Sequence, residues 1–173
     1  ARGLQRAGQR CFVTTSGLHH HQRYAQGLQG CRQRRVRLGL VVEPLGFEIC
    51  ALRYKAEAVE GIEAVGGKGR FKLVHDTFHH TLAHGGPLFP EHTGIVHISG
   101  VVDQEVGIAD MRDPHRVLVT NGDRLGNVEQ IAALQAAGWN GPVSYEAFSP
   151  EVHSYADPAA ELDTVAHPAG PRN

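Results

Sequence analysis

The sequence lacks any apolar run approaching the roughly 18 residues of a membrane-spanning helix. It shows no signal peptide, and because it begins with Ala1 rather than Met we expect a fragment. It contains only three cysteines, Cys11, Cys31 and Cys50, which have no metal-site spacing and cannot all pair. These absences predict a protein without a membrane segment, located in the reducing cytoplasm.

Acidic residues are absent from residues 1–40, which contain eight arginines and carry a formal charge of +8. The remaining 133 residues contain all eighteen Asp and Glu residues and nine Lys and Arg residues, a formal charge of −9. The overall charge of −1 therefore hides a sharp division. A basic arm that binds nucleic acid and a solvated basic tail are both compatible with the first part.

Residues 1–37 also lack sustained periodicity, apart from a short strand-like run at Cys11–Thr15. The segment is rich in Arg, Gln, Gly, His and Cys, a composition that results when a GC-rich gene is read out of frame. We therefore expect an atypical basic segment, and we favour a frame error over a disordered tail and over a functional arm.

A regular alternation of strand and helix patterns begins after this segment and continues to residue 166. The predicted strands cover 38–43, 70–76, 93–98 and 142–146. The predicted helical segments cover 53–65, 79–83, 126–137 and 157–165, and 167–173 is a tail. In the third of these helical segments, one predicted face carries Val128, Ile131, Leu134 and Ala137. The alternation predicts a parallel sheet with right-handed crossovers.

The length of this repeating part limits how much of a barrel it can form. Its strand–helix units amount to half of an eight-stranded barrel, which typically needs about 250 residues. The predicted fold class is therefore α/β, the C-terminal half of a (β/α)8 TIM barrel that is incomplete in this chain.

Each predicted strand has an acidic or histidine side chain where it ends: Glu43, Asp76, His97 and Glu146. Catalytic groups of α/β barrels lie at the C-terminal ends of strands, so these side chains can meet at one ion. Carboxylates and an imidazole suit a divalent cation, and Mn, Co, Zn and Mg all accept such ligands. Each residue alone has a structural alternative, for example Asp76 as a helix cap and His97 as a core histidine.

The motifs around these residues resemble the sugar phosphate isomerase/epimerase family, which has a xylose-isomerase-like TIM barrel, and especially its inosose (2-keto-myo-inositol) isomerase-like members. The motifs are Val-Val-Glu-Pro around Glu43, His-Asp-Thr-Phe-His at 75–79, Val-His-Ile-Ser at 96–99 and Ser-Tyr-Glu-Ala-Phe at 144–148. The resemblance covers about 38–155 and implies that residues 38–166 contain strands five to eight of the barrel.

The resemblance also implies roles for individual residues. Glu43, Asp76, His97 and Glu146 would bind one divalent metal, with Glu43 and Glu146 also catalytic, and His79 and Arg116 would bind substrate. The implied function is isomerisation or epimerisation of a small sugar or polyol ketone by proton transfer through an enediolate. No membrane or nucleic acid partner is expected, and the oligomeric state, including a homo-oligomer, stays open.

Two alternative functions remain. An endonuclease IV-like metal-dependent phosphodiesterase would use His79, Asp113 and His115 as additional ligands, but the negative charge of the organised region opposes DNA binding. The other alternative is an inactive truncated fragment in which the site residues never assemble. Metal content of the purified chain separates this last alternative from the isomerase hypothesis.

Overall fold

The computed structural model describes residues 12–14, 39–157 and 160–162. Its strands form one parallel sheet in sequential order: β1 (Phe12–Thr14), β2 (Gly39–Val42), β3 (Phe71–Asp76), β4 (Thr93–Ile98) and β5 (Val143–Tyr145). The helices that follow β2 to β5 are α1 (Lys55–Ala64), α2 (Thr77–Leu82), α3 (Asn127–Ala136) and α4 (Pro150–His153). This architecture confirms the predicted α/β fold with part of a parallel barrel.

The segment 1–37 is described only at residues 12–14. These residues form β1, which pairs with β2 so that Phe12 lies opposite Gly39 and Thr14 opposite Val41. The strand coincides with the short strand-like run noted in the sequence. The other expectations for 1–37, and the predicted tail at 167–173, fall outside the described residues.

Opposite faces of the sheet have different neighbours because side chains alternate along a strand. On one face, Leu73 of β3 packs against Val59 and Ile62 of α1. On the same face, Val96 of β4 packs against Leu134 of α3. The residues one position out of phase therefore point away from these helices, towards the side that a closed barrel would enclose.

The apolar runs of the predicted strands are typical of buried parallel strands, and an apolar helix face is typical of a buried one, but β5 and α3 depart from these expectations. Strand β5 is not buried, since Val143 is 44% and Tyr145 38% exposed. The reason is that β5 pairs with β4 but with no further strand among the described residues. In α3, Leu134 of the predicted face is buried, but Val128 of that face is 71% exposed and Asn127 is buried in its place. Asn127 replaces the apolar residue because its amide donates to the Ser99 carbonyl oxygen at 2.8 Å.

The lengths and polarity of the helices show whether any of them could span a membrane. Within the described ranges, every helix is too short or too polar to cross a bilayer.

Candidate metal centre

The predicted metal ligands lie at one edge of the sheet because the parallel strands all end there. Asp76 is the last residue of β3 and lies opposite His97 of β4 in the strand register. Glu43 directly follows β2, and Glu146 directly follows β5, where its N–H donates to the carbonyl oxygen of Ile98 at 2.9 Å. One ligand atom from each of these four residues lies within 4.8 Å of all the others. The structure thus brings the whole predicted set together.

Two of these side chains carry polar atoms that the protein leaves without a hydrogen bond. Glu43 Oε1 and His97 Nδ1 are buried and have no hydrogen-bond partner in the described part of the chain. They lie 3.5 Å apart, and His97 Nδ1 lies 3.3 Å from Glu146 Oε2. Ligand atoms that share one metal at bond lengths of about 2.1 Å lie about 3.0–3.4 Å from each other. The residues therefore fit a divalent metal ion.

The electrostatics of the centre also favour a cation. Burial by itself would lower the pKa of His97, but the carboxylates of Glu146 and Glu43 outweigh this effect and raise that pKa to about 10. The imidazole is thus held in its positive form when nothing else supplies positive charge. A divalent ion would supply that charge and leave the imidazole neutral, the form that binds metals.

Arg116 is the cation that the protein itself places in the centre. It is 1% exposed, and its Nη2 donates to Asp76 Oδ2 at 2.5 Å and to Glu146 Oε2 at 3.1 Å. Its Nε donates to Ser99 Oγ at 3.0 Å, and its Nη1 donates to Asp113 Oδ1 at 3.4 Å. The guanidinium group thus fixes two of the predicted ligand carboxylates relative to each other.

Two aromatic rings enclose the guanidinium group of Arg116. Its central carbon lies 4.8 Å from the ring centroid of Phe78 and 4.8 Å from that of Phe148. A cation over an aromatic face gains electrostatic stabilisation, and the rings also exclude water from the ion pairs. The motif at 144–148 thus provides both a carboxylate and the ring that covers its partner arginine. No local pattern in the sequence indicates these contacts.

The two carboxylates that Arg116 joins differ in their protonation behaviour. Burial raises the pKa of Asp76, although Arg116 and His79 partly oppose this effect. Burial also acts to raise the pKa of Glu146, but the nearby imidazole of His97 outweighs it, so that the pKa is lowered. The Glu146 side chain is 20% exposed, whereas the Asp76 side chain is fully buried. Glu146 is therefore the better placed of the two to exchange a proton with a bound molecule.

His79 lies beside the centre because Asp76 also starts the following helix. Asp76 Oδ1 accepts a hydrogen bond from the backbone N–H of His79 at 3.0 Å, which caps α2. The ring of His79 packs edge-on against Phe47, with 5.2 Å between the ring centroids. Burial lowers the pKa of His79, so the imidazole is neutral near pH 7. A neutral imidazole can donate one hydrogen bond and accept another.

None of the additional ligands of the endonuclease alternative belongs to the converging group, although His79 lies beside it. His115 Nδ1 accepts a hydrogen bond from the backbone N–H of Arg112 at 2.9 Å, and Asp113 contacts Arg116. Within residues 39–157, the structure forms no second group of three or more potential metal ligands. The described residues therefore offer one candidate metal site.

A buried polar chain on the helix side of β3 was not predicted. Lys55 Nζ lies 2.6 Å from His75 Nδ1, and His75 Nε2 lies 2.9 Å from Gln130 Oε1. Burial lowers the pKa of Lys55 to about 7 and that of His75 to about 3. The one sequence signal is the histidine inside the apolar run before Asp76.

A cavity of about 310 Å³ lies beside the centre, where the β2–α1 loop meets the β4–α3 loop. Its wall includes Phe47, which contacts His79, and Asp113, which contacts Arg116. It also includes the charged side chains of Arg53 and Arg112. The cavity is thus adjacent to the two residues predicted to bind substrate.

Comparison with known proteins identifies the fold. A family model described as a xylose isomerase-like TIM barrel matches residues 5–166. Among solved structures, the chain is similar to a xylose isomerase domain containing protein from Salmonella typhimurium LT2. The two are 29% identical with a TM-score of 0.67, over 75% of this chain and 49% of that one.

Two other solved structures share this fold at lower identity. The IolI protein with a zinc atom is 22% identical, with a TM-score of 0.61 over 83% of this chain and 51% of that one. A xylose isomerase-like TIM barrel/4-hydroxyphenylpyruvate dioxygenase fusion protein is 16% identical, with a TM-score of 0.55 over 77% and 21%. The chain spans about half the length of the first two relatives. Curated protein sequences give no significant match.

Proposed function

We propose, from the premise that this chain belongs to the xylose isomerase-like TIM barrel family, that it forms part of a metal-dependent isomerase or epimerase of a sugar or polyol ketone. The observation that supports this function is the convergence of Glu43, Asp76, His97 and Glu146 at one point. The zinc atom of the similarly folded IolI protein also supports a metal-dependent function.

These four side chains would hold one divalent ion, with Mn, Co, Zn and Mg all compatible with their oxygen and nitrogen atoms. When bound, the ion supplies Lewis-acid stabilisation of negative charge on the carbonyl and hydroxyl oxygens of a ketone. Removal of a proton from the carbon next to the ketone produces an enediolate, whose oxygens carry negative charge. Proton removal therefore requires such stabilisation.

The proton itself would be moved by Glu43 and Glu146. Glu146 is partly exposed and its pKa is lowered, so it is ionised and able to accept a proton from carbon. Glu43 follows a strand separated from the strand of Glu146 by two others, so it approaches the substrate from a different side. A base on each side suits an epimerase, whereas an isomerase can use one base to remove and return the proton.

Two further residues would place the substrate and offset its charge. His79 is a neutral imidazole beside Asp76, suited to a hydrogen bond with a substrate oxygen. Arg116 contacts Asp76 and Glu146, and its positive charge would oppose the negative charge that develops on the substrate. The adjacent cavity of about 310 Å³ would accept the carbons remote from the reacting centre.

The experiment is hydrogen exchange at the carbon next to the ketone. The metal-loaded protein is incubated with inosose or a ketohexose in deuterated water, and NMR follows deuterium incorporation at that carbon. Exchange that requires both the metal and Glu146 supports the proposal. Absence of exchange with every polyol ketone offered, in a protein shown to hold one metal per chain, would contradict it. A DNA duplex with an abasic site tests the phosphodiesterase alternative in parallel, and we expect no strand cleavage.

A further inference from the structure

Ser99 places a buried hydroxyl group beside the metal centre, although it is not one of the predicted ligands. β4 ends at Ile98, and Ser99 follows it directly, two residues after His97. Its side chain is fully buried, and its Oγ accepts a hydrogen bond from Nε of Arg116 at 3.0 Å. Ser99 thus contacts the arginine that joins two of the predicted ligand carboxylates.

The guanidinium group of Arg116 is held differently above and within its plane. The rings of Phe78 and Phe148 lie 4.8 Å from its central carbon and restrict movement perpendicular to the plane. A ring face does not prevent the group from sliding or turning within that plane. Because the N–H groups of a guanidinium form a rigid planar fork, hydrogen bonds in the plane determine this second kind of movement.

The four side chains that accept these hydrogen bonds are not equivalent. Asp76 and Glu146 are predicted metal ligands, so a bound cation would compete with the guanidinium group for their negative charge. Asp113 lies 3.4 Å from Nη1 and its side chain is 52% exposed, so water competes for that contact. Of these four acceptors, Ser99 is the one that is both fully buried and outside the predicted ligand set.

The main chain holds Ser99 and Arg116 at a defined separation. The residues that follow them, Gly100 and Val117, exchange two backbone hydrogen bonds, at 2.7 Å from the Gly100 N–H and at 2.9 Å from the Val117 N–H. The carbonyl oxygen of Ser99 also accepts a hydrogen bond from the Asn127 side-chain amide at 2.8 Å. The position of the Ser99 hydroxyl group is therefore fixed independently of the guanidinium group that it contacts.

We propose that Ser99 is a positioning residue, whose hydroxyl group holds the guanidinium group of Arg116 in the orientation in which Nη2 contacts both Asp76 and Glu146. Without this hydroxyl group, the buried Nε–H loses its acceptor, and the guanidinium group turns within its plane towards another one. The consequence for turnover rests on the proposed function, in which the charge of Arg116 opposes the negative charge that develops on the substrate.

The experiment compares crystal structures of the unmodified protein and of Ser99→Ala, each grown with and without zinc. In the unmodified protein we expect the contact between Ser99 Oγ and Arg116 Nε under both conditions, because Ser99 is not a metal ligand. In Ser99→Ala we expect the guanidinium group to turn until Nη2 lies more than about 3.5 Å from Asp76 or Glu146, too far for a hydrogen bond.

Two results would overturn the proposal. Loss of the Ser99–Arg116 contact in the zinc-loaded unmodified protein would do so without any variant. An unmoved guanidinium group in Ser99→Ala, with both Nη2 contacts intact, would show that Ser99 does not determine its orientation.

The matched control is Thr93→Val, which removes a buried hydroxyl group from the first residue of the strand that ends beside Ser99. Thr93 Oγ1 donates to the carbonyl oxygen of Phe89 at 3.0 Å, and Thr93 is 6% exposed. The variant should lose stability as Ser99→Ala does, but the orientation of Arg116 should not change. A turned guanidinium group in Thr93→Val as well would mean that general loosening of β4, and not the Ser99 hydroxyl group, moves Arg116.

The kinetic test asks whether Ser99 acts through Arg116. In an active protein, Ser99→Ala should lower kcat on the order of 10–100-fold, with KM and metal content little changed. In an Arg116→Lys background, the same substitution should lower kcat by less than about twofold further, because the group that Ser99 orients is already absent. Effects of the two substitutions that multiply independently would contradict a role exerted through Arg116.

The crystallographic comparison needs no substrate, so it separates this inference from the proposed function. A turned guanidinium group in the Ser99→Ala variant of a protein without isomerase activity would support the positioning role and refute the function. An active protein in which Ser99→Ala leaves both the orientation and kcat unchanged would support the function and refute the positioning role.

Discussion

His97 Nδ1 lies 3.5 Å from Glu43 Oε1, and neither buried atom forms a hydrogen bond with another residue in the described ranges. Glu146 Oε2, 3.3 Å from the same nitrogen, borders the same space. Without a metal, the protonated imidazole of His97 is paired with these two carboxylates. A divalent cation would replace that proton, and the same three atoms would then form part of its ligand shell.

The stability of the metal-free protein should depend on the protonation of His97. Its pKa in the folded state is about 10, above the ordinary value of 6.5, because of Glu146 and Glu43. The resulting stabilisation is complete below pH 6.5 and is lost as pH rises to about 10, because the folded state binds the extra proton only in that window. We expect the melting temperature of the protein in EDTA to contain a component that falls between these pH values.

The variant His97→Gln isolates the contribution of His97 to the pH dependence of stability. Lys55, whose pKa is lowered to about 7, changes stability in the opposite direction above that pH, so only the difference between the wild type and His97→Gln is informative. That difference should shrink as pH rises, and saturating metal should abolish its pH dependence. His153→Gln, at an exposed position, is the control. A pH-independent difference in EDTA would contradict the assigned environment of His97.

Glu146→Gln should separate metal binding from catalysis. The amide oxygen can still coordinate a metal, but it cannot accept a proton, so kcat for deuterium exchange should fall on the order of 10²–10⁴-fold. Metal content, measured by mass spectrometry, should fall much less. Glu151→Gln, an exposed change five residues away in the sequence, should preserve both quantities. Wild-type turnover in Glu146→Gln would exclude this carboxylate as the base.

His79→Asn should weaken substrate binding without removing the metal. Loss of one hydrogen bond of about 1.4 kcal/mol raises KM about tenfold. His153→Asn is the control because His153 is exposed and does not line the cavity proposed for the substrate. A His79→Asn protein that loses its metal, or that keeps its KM, would show that His79 has another role.

Gly46→Ala should destabilise the protein, because a Cβ atom there would lie 2.1 Å from the carbonyl oxygen of His79. Forcing the β2–α1 loop away from α2 should cost about 1–3 kcal/mol in the free energy of unfolding. Gly61→Ala is the opposite case, since its Cβ would meet nothing within 4 Å and the residue lies inside α1. It should stabilise by about 0.5–1 kcal/mol. Urea unfolding measures both, and equal effects would contradict the described packing.

The sequence predicted the parts of the structure that depend on local pattern. Strand β4 was predicted at its observed bounds, and α1 within two residues at its N-terminus. The convergence of Glu43, Asp76, His97 and Glu146 was predicted because each residue lies at the end of a predicted strand. Helix α2 begins two residues earlier than predicted, since the Asp76 side chain caps it directly after β3. The short helix α4 was missed, although Ser149 and Pro150 form a typical helix start.

The contacts between distant segments had no comparable signal. Arg116 meets Asp76 across 40 sequence positions, and Lys55 meets His75 across 20. Such pairs depend on the strand register and on the loop paths, which a single sequence does not specify. The polar buried face of α3 was missed for the same reason, because Asn127 is buried only through its bond to the Ser99 carbonyl oxygen in the loop after β4.

The central claim is that Glu43, Asp76, His97 and Glu146 bind one divalent metal, and anomalous diffraction from a crystal of the manganese-loaded protein tests it most directly. We expect one anomalous peak per chain at this centre, about 2.0–2.3 Å from one oxygen or nitrogen atom of each residue. No peak at saturating metal, or a peak whose ligands omit two or more of these side chains, would contradict the account.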